Sequence, residues 1–275
     1  MRNIVFGLSM LVLTFAATSC KENVEEEITL PVQEVKPNQH HSINSVLWHQ
    51  TAAEYKALCY QTYNLAKIQF DKKLQQHAFP YEKPPAIVMD LDETVVDNSF
   101  FNAQLILDSA NFSRDRWKQW SDLMQAGAVP GALEFIKYVQ SKGVEVFFIS
   151  NRREAEVANT KENLERLGLE GLDTNNFYFR VEEGSKKARR NAVAENHEIL
   201  MLFGDNLADL TEVFDKRTVQ DRNQIVDSLQ SEFGTHFIIL PNALYGEWEG
   251  AMFDYKYDWT TIQKDSIRRS WLKGY

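Results

Sequence analysis

Four short apolar runs, separated by stretches of helical spacing, constrain the fold of this chain more than any other feature. The runs are Ala86–Asp90, Val144–Ile149, Ile199–Phe203 and Phe237–Leu240, with a weaker one at Phe177–Arg180. Their length suits strands, and their lack of polar alternation suits strands covered on both faces. Helices are predicted between them, over Gly131–Ser141, Glu154–Leu167, Ser185–Asn196 and Gln220–Phe233. Strand and helix alternating in this way build a parallel sheet flanked by helices, so the expected class is α/β.

Two additions to that frame are expected. Ser42 to His77 has apolar residues at helical spacing (Val46, Leu47, Ala53, Leu58, Leu65, Ile68), which predicts one or two helices before the sheet, ended by Pro80, Pro84 and Pro85. Between the first two strands lies an aromatic-rich insertion, about 97–129, with Phe100, Phe101, Phe112, Trp117 and Trp120. It leaves from the carboxyl end of a strand, the edge where open α/β sheets bind ligands, and is placed to form a helical cap.

The amino end has a separate logic. Met1-Arg2-Asn3 leads into the apolar run from Ile4 to Ala17, too short to span a bilayer comfortably, and residues 1–19 read as a signal peptide. Ala17-Thr18-Ser19-Cys20 resembles the lipobox of bacterial lipoproteins, which implies cleavage before Cys20, lipidation of its thiol, and an outer-membrane or cell-surface location. Residues 20–41, acidic at Glu25-Glu26-Glu27 and broken by Pro31 and Pro37, are expected to be a flexible tether to a domain over 42–275. His40-His41 falls in that tether with no Cys or Glu partner at zinc spacing and is expected to be solvated. Cys59 is then the one thiol left in the mature chain, expected as a small buried hydrophobe. A net charge of -9 argues against a broad basic surface for a nucleic-acid polymer, so a small anionic ligand would need local positive charge, which a metal ion can supply.

The chemistry sits at strand ends. Asp90-Leu91-Asp92-Glu93-Thr94 follows the first strand, Ser150-Asn151-Arg152 the second and Gly204-Asp205-Asn206-Leu207-Ala208-Asp209 the next strong one, while Gly184-Ser185-Lys186-Lys187 opens a helix. In this order the four segments resemble the motifs of the haloacid dehalogenase superfamily. The resemblance is nearest to its class C acid phosphatases, the lipoprotein e type of 5′-nucleotidases. Asp97-Asn98-Ser99, Ala128-Val129-Pro130-Gly131, Leu240-Pro241-Asn242-Ala243, Tyr245-Gly246 and Trp248-Glu249-Gly250 carry it further, from about Ser45 to the carboxyl end.

The resemblance implies a Rossmann-like haloacid dehalogenase fold and Mg²⁺-dependent hydrolysis of phosphate monoesters, nucleoside 5′-monophosphates among them. Asp90 is implied as the nucleophile that becomes an aspartyl-phosphate, and Asp92 as the acid and base. Mg²⁺ would be held by Asp90, Asp205 and the Asp92 carbonyl. Ser150, the Asn151 amide and Lys186 would hold the phosphoryl oxygens, with Asp209 bracing the metal or the lysine. The resemblance also favours Lys186 over Lys187, since this lysine stands three residues before an arginine in the family, here Arg189; adjacent helix positions point about 100° apart, so only one of the two can reach easily. Tyr245 is expected to face Trp117 or Trp120 across the pocket mouth and stack a nucleobase. A homodimer is implied by analogy. A phosphotransferase, a dehalogenase, disfavoured by Asp92, and a surface ligand-binding lipoprotein with little turnover are the competing readings.

Overall fold

The computed structural model describes residues 39–76 and 82–275. The predicted signal peptide, Cys20 and most of the tether lie outside these residues. His40 and His41, placed in the flexible tether by the sequence, lie in a 3₁₀ turn, His40–Ser42, near the start of the described residues. Two helices follow, α1 (Ile43–Thr51) and α2 (Ala53–Gln76).

The sheet has five parallel strands: β1 (Pro85–Met89), β4 (Glu145–Arg153), β5 (Phe177–Arg180), β6 (Glu198–Gly204) and β7 (Phe237–Ile239), in the order β5-β4-β1-β6-β7. The remaining strands, β2 (Val96–Asp97) and β3 (Gly127–Ala128), pair antiparallel at the base of the insertion. The insertion holds α3 (Ser99–Leu107) and α4 (Arg114–Leu123). Around the sheet lie α5 (Ala132–Ser141), α6 (Val157–Arg166), α7 (Lys187–Asn196), α8 (Leu207–Leu210) and α9 (Val219–Ser228), followed by α10 (Glu247–Met252) and α11 (Thr261–Trp271). Every predicted strand is present. The β2–β3 pair, α8, α10 and α11 were not expected from the apolar pattern, because two-residue strands and short polar helices leave no periodic trace.

β1 is central and every one of its residues is buried, which is why its sequence is apolar without alternation. α2 covers one face of the sheet with Tyr55, Cys59, Tyr63, Ala66 and Phe70, a stripe at helical spacing. This corrects the predicted face: Leu58, Leu65 and Ile68 are 40%, 52% and 62% exposed. Aliphatic residues suggested one side of the helix, but aromatic rings with more area to bury occupy the other. Full burial of a side chain such as Phe70 contributes about 1.5–3 kcal/mol. The opposite face is closed by Val193 of α7 and Leu210 of α8 packed with Val88, Ile149 and Leu202. Among the described residues no helix is long and apolar enough to cross a membrane.

Candidate active site

Order β4-β1-β6 puts the ends of three strands side by side, and their loops carry the chemistry. After β1 the chain turns sharply: Thr94 and Val95 donate backbone hydrogen bonds to the Leu91 carbonyl, at 3.2 and 2.8 Å, and Glu93 adopts a left-handed φ of 58°. A non-glycine residue there costs about 1 kcal/mol or more. Glu93 is held by its surroundings: its fully buried carboxyl accepts from the Asn98 amide at 2.8 Å and from the Tyr245 hydroxyl. Burial, reinforced by Asp92 and Asp205, keeps this carboxyl well above the ordinary carboxylate range.

The turn sends Asp90 and Asp92 to different partners. Asp90, 7% exposed, meets Lys186 at the N-cap of α7, and the same ammonium lies 2.7 Å from Asp209. Lys187 points outward to Glu212 at 3.0 Å, so the structure places Lys186, and not its neighbour, in the site. Asp92 is gripped by Arg152, whose Nη2 lies 2.8 Å from Oδ1, and by Asn98 Nδ2 at 2.9 Å. Arg152 is itself fixed by Thr160 Oγ1 at 3.0 Å and by the Trp117 ring, 5.3 Å from its guanidinium carbon. Ser150 is fully buried at the turn in β4; its hydroxyl accepts from the Arg152 amide at 3.1 Å and lies 3.5 Å from Asp92. The Asn151 side chain is tied to Arg189 at 2.8 Å.

After β6, Asp205 accepts from Asn206 Nδ2 at 2.7 Å and from Asn242 Nδ2 at 2.6 Å. Asp209 folds back to accept from the Asn206 amide at 3.0 Å, closing a capping box on α8. Gly204 makes this possible: a Cβ on it would lie 2.6 Å from Asp209 Oδ2. Asp90, Asp205 and Asp209 can bring one oxygen each within 4.8 Å of one another.

This set fits a hard divalent cation. Two of the three clustered carboxylates share one ammonium, and the donors are all oxygen, as Mg²⁺ prefers. Burial pushes the Asp90 carboxyl up to about 7, opposed by Lys186 and aided by Asp209 and Asp92. Asp205 is likewise driven well above the ordinary range, first by burial and then by Asp209 and Asp90. Positive charge brought among them relieves both.

A cleft of about 970 Å³ runs from Lys186, Asp209 and Asn206 past Tyr245 to Phe253 and Tyr257. Trp117 and Trp120 do not line it. Trp117 donates to Glu156 at 2.8 Å and packs edge-on against Phe101, while Trp120 donates to Asn98 at 2.8 Å. These rings brace the partners of Asp92 and form no sandwich with Tyr245. Sequence reasoning assigned no role to Arg152, Asn98, Glu93 or Asn242. Arg152, two residues after the buried Ser150, carried a signal in its position; Asn98 and Glu93 pair within six residues, but only the turn after β1 turns them toward each other and toward Asp92, and Asn242 meets Asp205 across 37 residues.

A parallel α/β sheet whose strand ends gather paired aspartates, a buried lysine and an acidic cation cradle defines a phosphohydrolase of the haloacid dehalogenase superfamily. Residues 1–248 match the family described as HAD superfamily, subfamily IIIB (acid phosphatase), and the chain belongs to that family. It is also similar to the class C acid phosphatase from Bacillus anthracis, with 41% identity and a TM-score of 0.81 over 86% of this chain and 98% of that one. The same relative solved with tungstate bound matches equally well. The chain is an acid phosphatase, a phosphomonoesterase.

Proposed function

We propose that the enzyme hydrolyses small phosphate monoesters, nucleoside monophosphates among them, through an aspartyl-phosphate on Asp90 and with Mg²⁺ as cofactor. The observation that carries the reading is the position of Asp90, buried against Lys186, which lines the cleft, and clustered with Asp205 and Asp209. In it, Asp90 attacks phosphorus and the bond to the ester oxygen breaks. Asp92 delivers a proton to that oxygen, then takes one from the water that splits the acyl phosphate. Lys186, Ser150 and the Asn151 amide hold the phosphoryl oxygens, where charge must be steadied during transfer. Asp90, Asp205 and the Asp92 carbonyl would hold Mg²⁺, with Asp209 bracing that group or Lys186, and the ion would supply charge to offset repulsion between Asp90 and the incoming phosphate. Asn206 and Asn242 orient Asp205 by hydrogen bonds to it. The tungstate complex of the Bacillus anthracis relative supports the reading, since tungstate is a tetrahedral oxyanion like phosphate.

Tyr245 lines the cleft and offers a ring for a nucleobase, with its hydroxyl tied to Glu93. Export, lipidation at Cys20, an outer-membrane or surface location and a homodimer complete the proposal; the first three rest on residues 1–20 and the last on analogy. The test is phosphate release from nucleoside monophosphates, sugar phosphates and nitrophenyl phosphate, on chelator-treated enzyme with and without added Mg²⁺. Turnover restored by Mg²⁺ is expected, and full activity in chelator would refute the cofactor.

A further inference from the structure

The carboxyl ends of β4 and β5 carry a second cationic group, distinct from Lys186. Arg153 and Arg180 are Cα partners across the two strands, and like charges placed opposite each other destabilise a strand pair. Among the described residues neither guanidinium pairs with a carboxylate, although the Arg153 backbone amide donates to Glu156 Oε2 at 2.7 Å. Arg153 Nη1 donates to the Val181 carbonyl at 3.0 Å, and Arg180 Nε to the Glu182 carbonyl at 3.0 Å. By contrast, Arg152, Arg190, Arg222 and Arg268 each hold a carboxylate. The neighbouring Arg189 adds to the field, since its guanidinium is spent on Ser150, Ser185 and Gly184 carbonyls and the Asn151 side chain. Burial, with Arg153 and Arg114 as neighbouring charges, lowers the proton affinity of Arg180. Glu182 and Glu183 are exposed on the adjoining loop and pair with neither arginine.

The position of Arg180 indicates what the cluster is for. Arg180 is half-buried and lines the same cleft as Asn151 and Lys186, within a space of about 970 Å³. That is room for a whole small ligand and not only for the phosphoryl group at Asp90. Guanidinium groups with unused N–H donors match phosphate oxygens in fork geometry.

We propose that Arg153 and Arg180 form a second anion subsite that takes an additional phosphate of the substrate, so that phosphomonoesters bearing a second phosphate, such as nucleoside bisphosphates, are preferred over simple monophosphates. The inference rests on the reading of Asp90 as the site of hydrolysis. An occupant of the subsite neutralises the opposed arginine pair, which no side chain among the described residues does.

The experiment compares kcat/KM for adenosine 5′-monophosphate and adenosine 3′,5′-bisphosphate on the Mg²⁺-loaded enzyme, on Arg180→Gln and on Arg153→Gln. The wild type is expected to favour the bisphosphate about tenfold or more, and each substitution to remove most of that preference through KM, leaving the monophosphate within about twofold. Equal losses on both substrates, or no preference in the wild type while the monophosphate turns over, overturn the subsite alone. Turnover of neither substrate overturns the hydrolysis reading and the subsite with it. Sulfate that alters monophosphate hydrolysis in an Arg180-dependent way, without any bisphosphate preference, identifies a free-anion site and also overturns the proposal.

Discussion

Asp90 and Asp92 are two residues apart, yet the turn between them gives them opposite environments. Asp90 faces an ammonium and other carboxylates; Asp92 faces a guanidinium and an amide. The difference assigns the proposed roles. Asp90→Asn changes little volume and removes the nucleophile, so phosphate release should fall about 10³-fold or more while circular dichroism and melting stay native-like. A variant turning over at the wild-type rate would refute Asp90 as nucleophile. Asp92→Asn should cost more on an alkyl phosphate, whose alkoxide needs a proton, than on nitrophenyl phosphate, whose leaving group does not. Equal losses on the two esters would remove Asp92 from the acid role. The residue types of this pair were legible from sequence, whereas Arg152 as the partner of Asp92 was not: 60 positions separate them.

At the scale of elements, the site depends on where strands stop. β6 ends in Gly204 because Asp209, one turn into α8, packs where a side chain would stand. Gly204→Ala should therefore displace Asp209, loosen Lys186 and weaken binding of the proposed Mg²⁺ about tenfold or more, with a stability loss of about 1–3 kcal/mol from overpacking. Titration of activity against Mg²⁺ concentration measures the first effect and urea unfolding the second; an alanine variant with unchanged Mg²⁺ requirement would show that Asp209 is not needed there. Strands and the longer helices were legible because their apolar patterns are local. The face that α2 buries was misread, since Tyr55, Tyr63 and Phe70 outcompete Leu58, Leu65 and Ile68 for the sheet. The tryptophans of the insertion were assigned to the pocket because rings near a strand end suit a ligand, but their N–H groups found Glu156 and Asn98.

For the molecule as a whole, pH acts on stability as well as on chemistry. His49 of α1 is 4% exposed, packs its ring tilted against Tyr55 with ring centres 4.3 Å apart, and its Nε2 faces the Ala243 amide at 3.4 Å as acceptor. Burial, only partly opposed by Asp97, lowers its pKa from 6.5 to about 4. Between these values the unfolded chain binds a proton that the folded one does not. The stability contributed by neutral His49 is complete above pH 6.5, falls as pH drops toward about 4, and has no further to fall below that. The loss amounts to about 3 kcal/mol at most, by the pKa difference. Urea midpoints at pH 7.5 and 4.5 should differ by less in His49→Gln than in the wild type, and an unchanged difference would assign the acid sensitivity to other groups.

What the sequence determined by itself was local: apolar runs long enough for strands, helical spacing between them, and acidic, hydroxyl and lysine residues at their ends. Those features depend on neighbours a few positions away, so they could be read without coordinates. The tertiary structure decided which chemistry-bearing ends meet. Strand order β4-β1-β6 brings Ser150, Asp90 and Asp205 together across more than a hundred residues of chain. Packing against the body also decided that Lys186 turns inward and Lys187 outward, and that Tyr245 meets Glu93 and not a tryptophan. Periodicity fixes only the angle between neighbouring side chains on an element; the direction of the site is set by the buried surface on which that element rests.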